Sequence, residues 1–569
     1  MGYHGWRVTR ALVLLLLAVR APAADGLKPW KDEQRRLDRA AAKFWQDFQR
    51  RYTDALLTFE KPRNDAAANP NAALHYINDY TGLRNLYTDV ALIEEERGKA
   101  DLAFAASGDA KAMPELFGTL IDVAKRIDEI EADHLDARPQ ASGVWFDQRP
   151  GIERHALAVR MDALTRALAQ CPGAVEFLGG EGMKSATRKD GKRSIVRRVA
   201  VLDALGLCAG DQAAAALVPY AGAPESSLRI AAVEALVKQG PVARESLAPL
   251  LSDPSVPVRR ALLQGIATAG AGDPGWIEPV LAAYGYAGGV LRDDCVRALE
   301  ALTNQKFGDA KAAWTEWFED YKAEIAGGKF KRDAIEVREA KREPSPVSCT
   351  FYGIPTPSLG VVFLFEGSRR IFWPADVDVL LKKYREVWHR TRREWEDANP
   401  SQLATLLGEF DKTSASFAPE LSFAAVVLCA NCGVQPLGPA KLAHPEKRDL
   451  KEVRHDIERL PGDGWCAQYE GILAAAALAG MPAGTDADFP EARADTIYLW
   501  DGGGPSGGRY MTPESAVAAF QRFNRFRRLV VHTIRICDEG EPSDAVMKGL
   551  AAASGGTYFW AKKPRSLPG

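Results

Sequence analysis

Leu359-Gly360-Val361-Val362-Phe363-Leu364-Phe365 is a continuous apolar run of strand length, and it leads straight into the polar string Glu366-Gly367-Ser368-Arg369-Arg370. A run without alternation suits a strand whose sheet is covered on both faces. Similar runs follow at 421–428, 496–500 and 529–534. Amphipathic helical segments lie between them. One opens at Thr512-Pro513-Glu514, with Thr as N-cap and Pro in the first helical position. Strands alternating with helices predict an α/β, doubly wound, mostly parallel sheet for residues 346–565.

Upstream, residues 326–345 are charged and then Pro-rich, and read as a linker. Before it the period is helical. Residues 24–150 read as a helical, hairpin or coiled region, broken at Asn69-Pro70-Asn71 and Ser107-Gly108-Asp109. Within it Trp45, Phe48, Tyr52, Leu56 and Phe59 share one face. Residues 151–325 repeat themselves. Arg197, Arg229, Arg259 and Arg292 recur at spacings of 32, 30 and 33 in helical contexts, which predicts stacked helical pairs. The string Asp253-Pro254-Ser255-Val256-Pro257-Val258-Arg259 resembles the HEAT family of α-solenoid repeats. That resemblance implies a structural role for the arginines. Trp314, Trp317, Phe318 and Tyr321 form an aromatic stripe, expected to close the solenoid as core.

At the amino terminus, Arg7 and Arg10 precede a short apolar run that ends in Ala21-Pro22-Ala23. This is the pattern of a signal peptide over residues 1–23, so export to the periplasm, cell envelope or medium is expected. The run is too short to span a bilayer, and no other long apolar run exists among the 569 residues, so no stable membrane insertion is expected after cleavage. Lys and Arg total 73 against 75 Asp and Glu, a balance that argues against nucleic acid as a partner. Of the eight cysteines, Cys171, Cys208 and Cys295 sit in apolar helical contexts and read as small buried hydrophobes.

The second half, from the strand at Val361 through Asp495-Thr496-Ile497-Tyr498-Leu499 to Leu550-Ala551-Ala552-Ala553-Ser554-Gly555-Gly556-Thr557-Tyr558, resembles the von Willebrand factor type A (VWA) family. The resemblance implies a divalent-cation site at the carboxyl ends of the strands, built from an Asp-x-Ser-x-Ser string, a Thr and an Asp. This chain departs from it in all three loops. Glu366 stands for the Asp and Arg370 for the second Ser, while Ser368 is retained. Cys466 takes the Thr position when Tyr469-Glu470 is aligned with the helix start. Gly502 takes the Asp position, with Asp501 one place early. A hard cation needs oxygen ligands, and a guanidinium repels it while pairing with carboxylates. The metal site is therefore expected to be lost, with no cofactor; a displaced Mg²⁺ or Ca²⁺ site is the alternative.

Cys429 and Cys432 follow a strand in what reads as a hairpin turn, and Cys466 and Cys537 belong to the same expected rim. They are candidates for a disulfide or thiol cluster. With no Ser/His/Asp order, phosphate loop or His-rich string in the sequence, the leading expectation is a non-catalytic scaffold that binds a protein partner. A thiol-redox or metal-thiolate protein and a cation-dependent adhesion module are the competing readings.

Overall fold

A computed structural model describes residues 26–63, 72–136, 149–187, 194–339 without 271, 347–367, 402–460 without 430–432, 440 and 445, 468–481, 494–501, 510–535 without 511, and 542–561. They form two compact units. One comprises the described residues of Met1–Glu131 and Arg149–Ala216, and the other those of Leu217–Gly569 with Ala132–Gln148. The leader and the string at 368–370 lie outside the described residues.

The first unit is helical. Helices α1 (Leu27–Arg63), α2 (Ala72–Ala106), α3 (Ala112–Asp136) and α4 (Arg149–Gln170) are followed by the shorter α5 (Ala174–Phe177), α6 (Met183–Thr187) and α7 (Ser194–Leu207). The break at Ser107-Gly108-Asp109 has a local cause. Ser107 Oγ donates back to the Phe104 carbonyl at 2.7 Å, and Gly108 turns the chain at φ 73°. The Asp109 side chain then accepts the Lys111 N–H at 2.9 Å. Buried Met113, Leu116, Leu120, Val123 and Ile127 line one face of α3 at helical spacing. Helices α2 and α4 approach closely where Gly98 meets Ala163. Beside this contact Asp101, fully buried, accepts hydrogen bonds from Trp30 Nε1 of α1 at 2.9 Å and from Arg160 Nη2 of α4 at 3.1 Å. Burial pushes the Asp101 carboxyl up in pKa, against the pull of Arg160 and Trp30.

The second unit begins within α8 (Asp211–Ala221) and continues through α9 (Ser226–Leu236), α10 (Arg244–Leu247), α11 (Val256–Thr268), α12 (Ile277–Tyr284), α13 (Gly289–Thr303) and α14 (Lys311–Ala326). Helix α9 packs on α11, and α11 on α13. Buried ion pairs tie one turn of the stack to the next. Arg229 holds Asp253 at 2.8 and 3.0 Å and also donates to the carbonyls of Ala223 and Pro224. Further along, the buried pair is made by Arg260, which donates to Asp294 at 2.6 Å. It is the neighbour of Arg259, the residue that repeats in the sequence. Arg292 pairs with Asp309 and donates to the Tyr284 hydroxyl at 3.1 Å. Trp314 and Trp317 are buried; Phe307 packs on the first and Phe330 on the second. Part of the stretch expected to be a linker is bound to the helices. Gln305 accepts the Arg338 N–H at 2.8 Å, and Arg332 donates to the Ala301 carbonyl at 3.1 Å.

A hairpin of β1 (Cys349–Phe351) and β2 (Ile354–Thr356) precedes the sheet; its turn places Tyr352 and Gly353 at φ 49° and 75°. The sheet contains β3 (Gly360–Glu366), β4 (Ser422–Cys429), β5 (Gly433–Leu437), β6 (Thr496–Asp501), β7 (Val530–Arg535) and β8 (Tyr558–Trp560). Their order is β5-β4-β3-β6-β7-β8, and all neighbours are parallel except the β4–β5 pair. The mixed, mostly parallel sheet matches the expected α/β class. Helices α15 (Gln402–Ala415), α16 (Lys447–Glu458), α17 (Gln468–Leu478), α18 (Pro513–Asn524) and α19 (Pro542–Ser554) complete the unit. Phe363, Phe365, Tyr498 and Trp500 share a core with Phe351 of the hairpin and with Phe410 and Ile457 of α15 and α16. On the opposite face Gly471 of α17 lies against Leu364 and Leu428, and Thr533 Oγ1 donates to the Met547 carbonyl of α19 at 3.0 Å.

Candidate functional site

Strands of period two alternate their side chains, so Glu366, Asp501 and Arg535, the last residues of β3, β6 and β7, fall on the face covered by α17 and α19. Pairing of Phe365 with Trp500 sets Glu366 and Asp501 at the ends of adjacent strands, and Asp501 is in direct register with Arg535. All three are buried, with relative exposures of 2%, 0% and 0%. Three charged groups taken out of water at one sheet edge require compensation from one another and from hydrogen bonds.

The covering helices supply part of it. Gln468, the first residue of α17, donates from Nε2 to Asp501 and lies 3.6 Å from Met547 Sδ of α19. Asp544, in the first turn of α19, stands 3.4 Å from Arg535 Nε, an ion pair without an aligned hydrogen bond. Asp544 also takes the Tyr558 hydroxyl and lies 3.3 Å from the more exposed Lys548. A carboxylate in the first turn of a helix is favoured by the macrodipole. The rim thus contains Glu366, Asp501 and Asp544 against Arg535 and Lys548, with the Gln468 amide donating to Asp501.

Of the residues singled out in the sequence, the structure therefore brings Glu366 and Asp501 together. Ser368, Arg370, Cys466 and Gly502 lie outside the described residues, as do Cys432 and Cys537. Cys429 ends β4 and pairs with Gly433 across the antiparallel edge, the geometry of the expected hairpin. Arg535, Gln468 and Asp544 were missed. The signal available for Arg535 was a charged residue ending an otherwise apolar strand, which by itself also fits an ordinary strand terminus. Among the described residues no three His, Cys, Asp or Glu side chains converge as a metal-binding group. No described helix is long and apolar enough to cross a membrane.

The thiols of Cys171, Cys208, Cys295 and Cys349 are buried and take part in no disulfide. Burial pushes all four up in pKa, Cys171 to about 11 and Cys295 and Cys349 to about 12. The thiolate is the reactive form, so these four are packing residues. A scan of protein-family models finds no match to this chain, and no curated protein matches it either.

Proposed function

We propose that this chain is an exported, non-catalytic interaction protein. In this reading a HEAT-like solenoid and a VWA-like domain each present a binding surface, and protein side chains have replaced the cation at the rim of the sheet. The observation that carries the reading is the buried guanidinium of Arg535, in register with Asp501 and 3.4 Å from Asp544. A fixed positive charge there does the neutralising that a divalent ion would otherwise do. The strand order, which reverses direction of travel at β3 and ends in one antiparallel edge strand, supports the VWA-like assignment. The inter-helix ion pairs of Arg229 and Arg260 support the solenoid reading.

The described donors do not fit Mg²⁺ or Ca²⁺. Asp501 already accepts from Gln468 and faces Arg535, whereas a hard cation needs six or more free oxygen ligands. A displaced cation site is the second reading. It is favoured by Gln468 Oε1, which is buried near Asp501 and accepts no hydrogen bond among the described residues. Calorimetric titration of the chain from Ala24 onward with Mg²⁺ and Ca²⁺ separates the two. No heat of binding is expected; micromolar binding abolished by Glu366→Ala overturns the proposal. Capture of partners from an envelope fraction then identifies what the rim binds, with Arg535→Met as the comparison.

A further inference from the structure

At the amino-terminal end of the strands, opposite the rim, the second unit contains a cleft of about 450 Å³ between α9, α11 and α13 on one side and the ends of α18 and α19 on the other. Its wall contains four guanidinium groups, Arg297, Arg522, Arg525 and Arg528, and one carboxylate, Glu234. Arg525 and Arg528 both spend their charge on this single acid. Arg525 Nη2 lies 2.6 Å from Glu234 Oε2, and Arg528 Nη2 is paired with Oε1. Arg528 also donates from Nη1 to Gln264 Oε1 at 2.9 Å, yet its Nε is buried and donates to nothing among the described residues. Its backbone is held in the left-handed region at φ 57°, and its carbonyl accepts from Arg260. Arg297 makes an outlying 3.7 Å contact with Asp294 and is half exposed. Over the lining residues, guanidinium groups outnumber carboxylates four to one.

We propose that this cleft binds a multiply charged oxyanion, a phosphate or sulfate group, clamped between Arg297 and Arg522 with Arg528 behind it. Guanidinium forks match the oxygens of such groups, and several in one concave wall are worth far more than one on an open surface. Burial, together with Arg525 and Arg260, holds the Arg528 guanidinium below its ordinary pKa, a penalty that a bound anion would relieve. Asn524 also lines the cleft, where its amide holds the Leu529 backbone and so fixes the segment that carries Arg528. The site lies away from the rim, so it stands independently of the function proposed above.

The test is calorimetric titration of the full chain with inorganic phosphate, inorganic sulfate and pyrophosphate at low salt. Saturable binding is expected, tightest for pyrophosphate and weakened by added chloride. Arg297→Gln is the deciding variant because it leaves the Glu234 contacts untouched; it should weaken binding about tenfold. Glu234→Gln removes the competing carboxylate and should tighten binding, the reverse of what a merely structural acid would show. Phosphate tighter than sulfate assigns phosphate-bearing ligands, and the reverse order assigns sulfate esters. Absence of saturable binding, or equal affinities in wild type and Arg297→Gln, overturns the proposal.

Discussion

His532 sits in the middle of β7, buried, with its ring stacked 5.0 Å from that of Tyr498, and its Nδ1 accepts the Thr557 N–H at 3.0 Å. An accepting Nδ1 is an unprotonated one, so the folded protein holds a neutral imidazole. Burial lowers the pKa from 6.5 to about 4. Between those values the unfolded chain binds a proton that the folded chain refuses. Stability from this group is therefore complete above pH 6.5 and is lost as pH falls toward about 4. Each pKa unit corresponds to about 1.4 kcal/mol, so the full loss is ~3 kcal/mol and the loss at pH 5 is ~2 kcal/mol. Asp495 and Asp293 act in the opposite direction, since burial raises their carboxyls. The comparison that isolates the histidine is wild type against His532→Gln, which keeps an acceptor for Thr557. A chain of two units does not unfold as one, so the probes must be local. Histidine C2 exchange followed by mass spectrometry reads the His532 midpoint directly. Amide exchange of β7 at pH 7 and pH 5 reads its protection. A midpoint near 4 is expected, with a pH-dependent loss of protection that is absent from the variant. A midpoint at 6 or above, or equal pH slopes in the two proteins, refutes the reasoning.

Arg260→Ala leaves the buried, charged Asp294 with only the outlying 3.7 Å contact of Arg297, which should cost about 3 kcal/mol and lower the melting temperature of the second unit in calorimetry. Gly98→Ala tests the close approach of α2 and α4. Helix propensity alone predicts a gain of about 1 kcal/mol, but a Cβ there would lie 2.6 Å from that of Ala163, so thermal denaturation should show a loss, reversed by adding Ala163→Gly. Thr512→Ala removes the side-chain oxygen that accepts the Ser515 N–H at 3.2 Å, and should cost about 1 kcal/mol in denaturant titration of the sheet domain.

The four apolar runs became β3, β4, β6 and β7, because a strand covered on both faces leaves a signature that no partner residue is needed to read. The N-cap at Thr512 and the turn at Ser107-Gly108-Asp109 were legible for the same reason, since each is closed by atoms a few residues apart. Trp314, Trp317 and Phe318 of the aromatic stripe of α14 likewise announced their burial through helical spacing, while Tyr321 at the end of the stripe is only partly buried. The hairpin β1–β2 was not legible: its strands are three residues long, too short to show a period, and it is held by contacts such as Tyr498 Oη donating to the Ile354 carbonyl at 2.9 Å.

For the site, the sequence alone placed Glu366 and Asp501 at the ends of apolar runs; the departure of their loops from a cation-binding pattern is what the VWA resemblance implied. Only the tertiary structure decided which charges surround them. Register between parallel strands set Arg535 opposite Asp501, and the entry points of α17 and α19 brought up Gln468 and Asp544. It also gathered Glu234 and Arg528, 294 positions apart, into one cleft. Local periodicity is written into neighbouring residues, whereas the neutralisation of a buried charge depends on where the sheet and its helices bring distant residues together.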